Sequence, residues 1–501
     1  MALPKITFTK QKGGLGRVLP GEDHISGFIF YNDTKPSGFS SDTSYVERVL
    51  SLTDAENLGI VNTNIDETKA TATIIITSAS TIGQNISIAV GSTILGTYDV
   101  TASASAALEA QNISDVINAN TYSHKYISIA SGSTITITAP AGLGISLNTI
   151  ALTITTTSTV VPNTTTAFAG GVASLLAQYH YQISEAYRLN PNLILYIMIA
   201  DIPTTYFATE ILEIQKQANG AIRQLAVFAN AKTSITTSDV SALHNAIVAT
   251  EDDFGVSFSA VYSTDLMALT DVSNLPDLSS LNAFKVSVLI SQSFSGVGLN
   301  LKNITGKSVP TLGAALGTIS YSKVSESIGW IGKFPISDGV ECEIVGFSNG
   351  QLYNSTSKTI LERLQGYRFI YLRKFTGTSG SFWSDSNCSV SVDSDYSFIE
   401  NNRTIDKAIR GIRKTILPEL NSPLLVNTDG TLTDATVAGF KNYCNETLEL
   451  MRRAGELSAY QTDIDANQDV LATSEINIQI SIVPLGVARQ INISIGFKTK
   501  L

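Results

Sequence analysis

A chain of 501 residues with 43% hydrophobic side chains is long enough to build about two to four domains with substantial cores. Charged residues make up only 15%, below the usual quarter, and a surface so poor in charge suits a protein whose exterior is largely covered in an assembly. The formal charge of −10 argues against a general nucleic-acid binder.

In chain order, residues 1–20 hold a short alternating piece, Ile6 and Phe8 against Thr7 and Thr9. A glycine-rich tether follows, Gly13, Gly14 and Gly16, and ends at Pro20, so the segment reads as a strand on a leash. No apolar signal core is present, and the longest apolar run, Leu193 to Ala200, is too short to cross a bilayer. The expectation is a product folded in the cytosol, without membrane insertion. HISGFIFY (24–31) predicts a buried strand, and SYVERVLSLTDAENLGI (44–60) predicts a helix followed by a turn.

Between residues 67 and 166 the composition shifts to Thr, Ser, Ile and Ala. TATIIIT, NISIAVG, TILGTYDV, KYISIAS, STITITAP and ALTITTTSTVV are short β runs with Gly, Pro and Asn punctuation, and one helix-like piece lies near Ala104 to Asn118. This pattern predicts a small sandwich-like β module. It reads as an insertion, because strand and helix alternate again from Phe168 to Leu301. Continuous apolar strands such as NLILYIMIAD and IRQLAVFAN, separated by amphipathic helices, predict a mostly parallel sheet covered on both faces.

Residues 311–330 predict a helix rich in small residues that can pack very closely. A second α+β body follows. VECEIVGF and YRFIYLRKF predict strands, and RTIDKAIRGIRKTILPEL predicts a helix with an apolar stripe, Ile405, Ile409, Ile412 and Ile416. Lys407, Arg410 and Lys414 make its other face. After the helix TDATVAGFKNYCNETLELMRRAG the chain closes on two alternating runs. The first is Ile476, Ile478, Ile480 and Ile482, and the second, after PLGVARQ, is Ile491, Ile493, Ile495 and Phe497. The linker has no two-residue turn signal, so the runs read equally as a loose hairpin or as a strand donated to another subunit over roughly 20–25 Å. The similar strand at the N-terminus favours donation, since a chain with an arm at each end can be joined to neighbours on two sides.

Chemistry is sparse. Lys12–Arg17 has the wrong order for a phosphate-binding loop, and no dinucleotide fingerprint follows the first strand. Gly346–Gly350 fits a GxSxG elbow around Ser348, but all four histidines precede it, and that elbow needs a later one. Glu251, Asp252 and Asp253 lack calcium-loop spacing and read as a solvated trio at a helix end, and Trp383 reads as packing and turn. Cys342, Cys388 and Cys444 lie far apart and read as packed thiols. No catalytic residue, metal site or cofactor is expected. The basic face of Lys407, Arg410 and Lys414, with Arg403 and Arg413 nearby, is either a solvated face or a contact for an acidic partner.

SFWSDSNCSVSVDSDYSFIENNRTIDKAIRGIRKTILPELNSPL, the helix after it and the closing ISIVPLGVARQINISIGF resemble the C-terminal domain and linker arm of contractile tail sheath proteins of phages and related injection systems. The likeness extends over the whole chain in layout. It implies a multidomain α/β and α+β fold: an N-terminal arm (1–20), an α/β core (21–66 with 167–330), an inserted outer β domain (67–166), a C-terminal α+β domain (331–488) and a C-terminal arm (489–501). It also implies a structural subunit, not an enzyme, that forms stacked hexameric rings around an inner tube and contracts. Ile6 and Phe8 would be the N-terminal arm strand, Ile491, Ile493, Ile495 and Phe497 the C-terminal one. Ile476, Ile478, Ile480 and Ile482 would lie in the adjacent sheet, and Lys407, Arg410 and Lys414 would face the tube. The implied partners are further copies of the chain, the inner tube protein and the baseplate and terminator proteins, in a virion tail or injection particle assembled in a bacterial cytoplasm, with no direct nucleic-acid contact. The module at 67–166 departs from minimal sheaths. A static self-assembling tube or shell is the alternative, with an α/β enzyme behind it.

Overall fold

Burial of the run Phe28–Tyr31 fixes the middle of the molecule, since all four side chains are fully shielded from water. In the computed structural model, residues 22–100, 105–157 and 163–497 are described. Strand β1 (Ile25–Tyr31) carries that run, β2 (Val46–Val49) comes next, and helix α1 (Leu52–Asn57) begins where the Ser51 hydroxyl accepts from the Asp54 amide.

The Thr- and Ile-rich stretch supplies β3 (Thr71–Ile76), β4 (Asn85–Val90), β5 (Thr93–Asp99), α2 (Ala106–Ala119), the single turn α3 (Thr121–His124), β6 (Ile127–Ser131), β7 (Thr134–Thr138), β8 (Leu152–Thr156) and β9 (Asn163–Thr165). They make two antiparallel sheets, β6-β7-β3-β9 and β5-β4-β8. Alternation puts Ile74, Ile76, Ile86, Ile88, Ile135 and Ile137 on inner faces, where they share one cluster with Ile113 and Ile117 of α2. The helix thus closes a core that the two sheets begin. Two carboxylates hold the crossings to the rest of the chain. Glu67 accepts from the amides of Gly142 and Gly144 at 2.6 and 2.9 Å, and Asp66 accepts from the Ser174 hydroxyl and, at 3.1 Å, from the Leu175 amide.

Beyond residue 174 come α4 (Leu175–Leu189), β10 (Ile194–Ala200), α5 (Ala208–Gln217), β11 (Gln224–Ala229), α6 (Thr237–Phe254), β12 (Ser259–Thr264), β13 (Val286–Leu289), β14 (Ser291–Ser293), α7 (Gly296–Thr305) and α8 (Leu312–Tyr321). The chain continues through β15 (Val345–Phe347), α9 (Lys358–Gly366), β16 (Phe369–Ile370), β17 (Leu372–Arg373) and β18 (Phe382–Trp383). The main sheet has the order β16-β13-β12-β11-β1-β10-β2, parallel throughout except where β2 pairs antiparallel with β10. The helix expected at SYVERVL is therefore an edge strand, with Val46 and Val49 turned into the core. The strand expected at KVSVLISQSF divides at Ile290: β13 joins the main sheet, and β14 pairs antiparallel with β15.

Small residues let α8 lie directly on α4. A methyl group at Gly313 would overlap the Gln182 carbonyl, and one at Gly317 would sit 2.6 Å from the Ala186 oxygen. The Gln182 side chain fixes the register, accepting from the Gly313 amide and donating to the Pro310 carbonyl, both at 2.7 Å. Trp383 is buried against the same helix and donates its indole N–H to Thr318 Oγ1 at 3.2 Å.

The C-terminal part consists of α10 (Ile399–Ile416), α11 (Asp434–Arg453), β19 (Leu457–Ile464), the short α12 (Val470–Thr473) and β20 (Ile478–Pro484). Cys342, Cys388 and Cys444 are buried and unbridged. Burial pushes their thiols up, that of Cys388 to about 12.

Candidate functional site

The carboxyl ends of parallel strands at a topological switch point are where open α/β sheets bind ligands. Here the order reverses at β1, between β10 and β11. That position is filled by packed rings: Tyr31 lies 4.8 Å from Tyr206 by ring centroids, and Phe207 meets Tyr262 edge-on at 5.6 Å. Ser348 of the GxSxG match is fully buried, its hydroxyl donating to the Ser291 carbonyl at 3.3 Å, which is a turn and not an exposed nucleophile. Among the described residues no group of three or more His, Cys, Asp or Glu side chains is arranged to hold a metal. None of their helices is long and apolar enough to cross a membrane.

The unusual chemistry lies at the C-terminal end of the chain. β19 and β20 form a two-stranded antiparallel sheet, in register from Ile464 opposite Ile478 to Tyr460 opposite Ile482, with an irregularity between Leu457 and Ala459. Alternation turns Ile476, Ile478, Ile480 and Ile482 toward the helices. Ile480 and Ile482 pack with Leu448, Met451 and Leu457, while Ile476 and Ile478 pack with Leu432, Phe440 and Ile464. Among the described residues no third strand lies on either outer edge. Against the described residues, both edges therefore present unpaired main-chain donors and acceptors.

The second alternating run has no such floor. Residues 485–497 form no strand, and Ile491, Ile493, Ile495 and Phe497 are 75–110% exposed. The hairpin alternative is thereby corrected: β20 takes its partner from β19, which the sequence patterning missed, and among the described residues the last run has no partner strand. Ile6 and Phe8 lie outside the described residues.

Between β20 and the exposed run stands Arg489. Its Nε donates to both oxygens of Asp385 at 3.0 and 3.1 Å, and one terminal nitrogen reaches Glu400 at 2.5 Å and the Ser386 hydroxyl at 3.2 Å. The guanidinium also stands 3.3 Å from the ring centre of Phe398. Burial pushes the Glu400 carboxyl up and the neighbouring Arg489 pulls it back, so the two charges depend on each other.

Helix α10 buries a polar face more deeply than its isoleucine stripe, of which Ile405, Ile412 and Ile416 are half-buried. Asn402, Arg403, Thr404, Asp406, Ala408 and Gly411 are buried, whereas Ile409 is 46% exposed. Asp406 and Glu251 share the ammonium of Lys285, each at 2.8 Å, which corrects the reading of Glu251 as part of a solvated trio. Arg403 donates to the Ser322 hydroxyl at 2.7 Å and to its carbonyl at 3.2 Å. Gly411 leaves room for Thr447 of α11. Two of the three residues expected on a tube-facing surface are used within the chain. Lys407 pairs with Asp23 and Glu456, both at 2.7 Å, and Arg410 pairs with Asp23 at 2.8 Å, while Lys414 is exposed.

Burial works against the Asp23 carboxylate, but Lys407 and Arg410 outweigh it and hold the group below its ordinary value. A depressed carboxylate contributes stability above the usual aspartate range, about pH 4, and loses it as pH falls through the folded value. The stability gap between the wild type and D23N is thus expected to be widest near neutrality and to close in acid. Urea unfolding at a series of pH values measures it, and a gap that does not change with pH would refute the assignment.

The two parts of the chain match two linked family models: DUF2586, N-terminal domain, over residues 3–387, and DUF2586, C-terminal domain, over residues 395–501. The chain belongs to the DUF2586 family. In this DUF2586 protein the two matches adjoin just ahead of α10. No curated protein matches it significantly. Among solved structures it is similar to a sheath tail protein from Listeria innocua, with 11% identity over 93% of this chain and 96% of that one and a TM-score of 0.40. A chain of the contracted sheath complex of the extracellular contractile injection system PVC gives 11% identity over 64% and 81%, with a TM-score of 0.42. A chain of the anti-feeding prophage baseplate gives 14% over 64% and 80%, with a TM-score of 0.43. Likenesses at this level leave the role of the DUF2586 chain to be argued from its own residues.

Proposed function

We propose that this chain is the structural subunit of a contractile tail sheath, joined to its neighbours by strands donated from its termini. The observation that carries the reading is the exposed run Ile491, Ile493, Ile495 and Phe497, in a chain that also carries a two-stranded sheet with no third strand among the described residues. Alternating apolar side chains have no reason to face water in a lone molecule, whereas a strand added to an open edge uses main-chain hydrogen bonds for affinity and alternate side chains for fit. Each such hydrogen bond contributes about 0.5–1.5 kcal/mol net, and each buried isoleucine or phenylalanine about 1.5–3 kcal/mol, before the entropy of ordering the arm is subtracted. An arm of this kind holds while the surfaces between subunit bodies slide, so stacked hexameric rings can rearrange from an extended to a contracted lattice around an inner tube without coming apart. The energy is stored at assembly and the chain needs no catalytic residue. In this reading Ile6 and Phe8 form the second arm, residues 67–166 an outer domain, and Lys414 the basic contact toward the tube. Further copies of the chain, the tube and the baseplate and terminator proteins are the partners.

Negative-stain microscopy and sedimentation of the full-length protein beside a version ending at Gln490 test the proposal. Full-length protein is expected to form hollow cylinders, and the shortened one to remain monomeric. Equal assembly of both would remove the donated strand, and cylinders restricted to one lattice in the presence of a tube would favour a static shell.

A further inference from the structure

In the linker between β20 and the exposed run, one side chain, that of Arg489, is tied to distant parts of the chain. Leu485, Gly486, Val487, Ala488 and Arg489 line a cleft of about 690 Å³ together with Trp330 and Trp383. Its guanidinium is held by groups from two other segments: Asp385 and Ser386, just after β18, and Phe398 and Glu400, at the start of α10. The partners are 104 and 89 residues away in sequence, so the contact is tertiary and not a local turn. The Glu400 side chain is 3% exposed, and its other partner is the Ser386 hydroxyl at 2.6 Å. The Phe398 ring carries a second guanidinium, that of Arg368, at 4.9 Å. A planar, bidentate, stacked site of this kind suits arginine and no other side chain.

We propose that Arg489 is the fixed point of the C-terminal arm, tying residue 489 to its own subunit so that the direction and reach of residues 490–501 toward a second copy of the chain are set there. This rests on the strand-donating reading above. Had the arm begun at Pro484, thirteen residues would lead to Phe497; fastened at Arg489, eight remain. At about 3.3–3.6 Å per residue those eight span at most about 26–29 Å, and most of that length is the strand itself. The recipient is therefore an adjacent copy, and one fixed exit direction selects the same neighbour at every position in the polymer. Selection by a fixed exit is what keeps identical arms from reaching alternative neighbours and mixing lattices.

The test compares full-length wild type, R489A, R489K and the version ending at Gln490. A nitroxide spin label on a cysteine introduced at Val487 of the monomer is expected to tumble several-fold faster in R489A and less so in R489K, with a label at Gln461 of β19 unchanged. Cylinders of R489A are expected to lose the single width and layer-line pattern of the wild type. Unchanged label mobility at position 487, or R489A cylinders with the wild-type lattice, would overturn the inference. Assembly of the version ending at Gln490 would instead overturn the strand-donating reading, and the label result would still decide whether Arg489 holds the linker.

Discussion

Replacing Lys285 with methionine is expected to lower the free energy of unfolding by about 3–5 kcal/mol, the range for removing one partner of a buried ion pair. Lys285 is 5% exposed and stands 2.8 Å from both Glu251 and Asp406. Burial disfavours its ammonium, yet the two carboxylates raise it above the usual lysine value, so the group is held charged by its neighbours. Methionine fills much the same volume and leaves two carboxylates facing each other with no cation between them. The triple change K285M, E251Q and D406N removes all three charges and is expected to recover most of the loss, because a buried ionic cluster replaced as a whole costs far less than one broken in part. Urea unfolding of the two variants decides the matter: a K285M protein within about 1 kcal/mol of wild type would mean that water already screens the triad. Since Asp406 lies on α10 and Lys285 at the head of β13, K285M is also expected to loosen the seat of α10 on the α/β body.

Alanine at Gly313 is expected to destabilise by about 1–3 kcal/mol or more, as overpacked cores do. The added methyl overlaps a backbone carbonyl, which cannot turn aside as a side chain could, so either α4 or α8 has to move. Both helices lie on the main sheet in one apolar cluster, and a shift there is felt by Phe28, Phe30 and Ile197. The contrasting site is Gly439 in α11, where an added methyl meets nothing within 4 Å. G439A is expected to stabilise by about 0.5–1 kcal/mol, because glycine in a helix costs backbone entropy with no compensating contact. Thermal unfolding of the two variants should move in opposite directions, and a G313A protein as stable as the wild type would show that α4 and α8 are not in rigid contact.

Elements with a local signature were readable from the chain. The continuous apolar runs of β1, β10 and β11 announce a covered parallel sheet, and the small residues of α8 announce a close helix contact. β2 was missed because Val46 and Val49, three apart, fit a helix as well as a strand, and four residues give periodicity nothing to decide on. β19 was missed because its alternation is mostly polar and breaks between Leu457 and Ala459. The face of α10 was misjudged for a different reason. Its isoleucines mark an apolar side, but the helix is turned by Lys285, Asp23 and Ser322, partners more than eighty residues distant that no local pattern contains. Of the candidate site, the alternating apolar pattern of the tail was legible, whereas its full exposure and lack of strand structure were not. The anchor at Arg489 was not, although a lone cation in an otherwise uncharged linker is the signal that could have found it.

The three thiols carry a consequence for life outside a reducing compartment. Only thiolates attack oxidants and disulfides at appreciable rates, and Cys342, Cys388 and Cys444 are all buried with that form disfavoured. If the chain assembles as proposed, many copies crowded together would have no accessible thiol with which to crosslink, and ageing in air would leave the contacts between them unlinked. The same burial makes the cysteines silent reporters: a maleimide dye would mark only those chains that have opened.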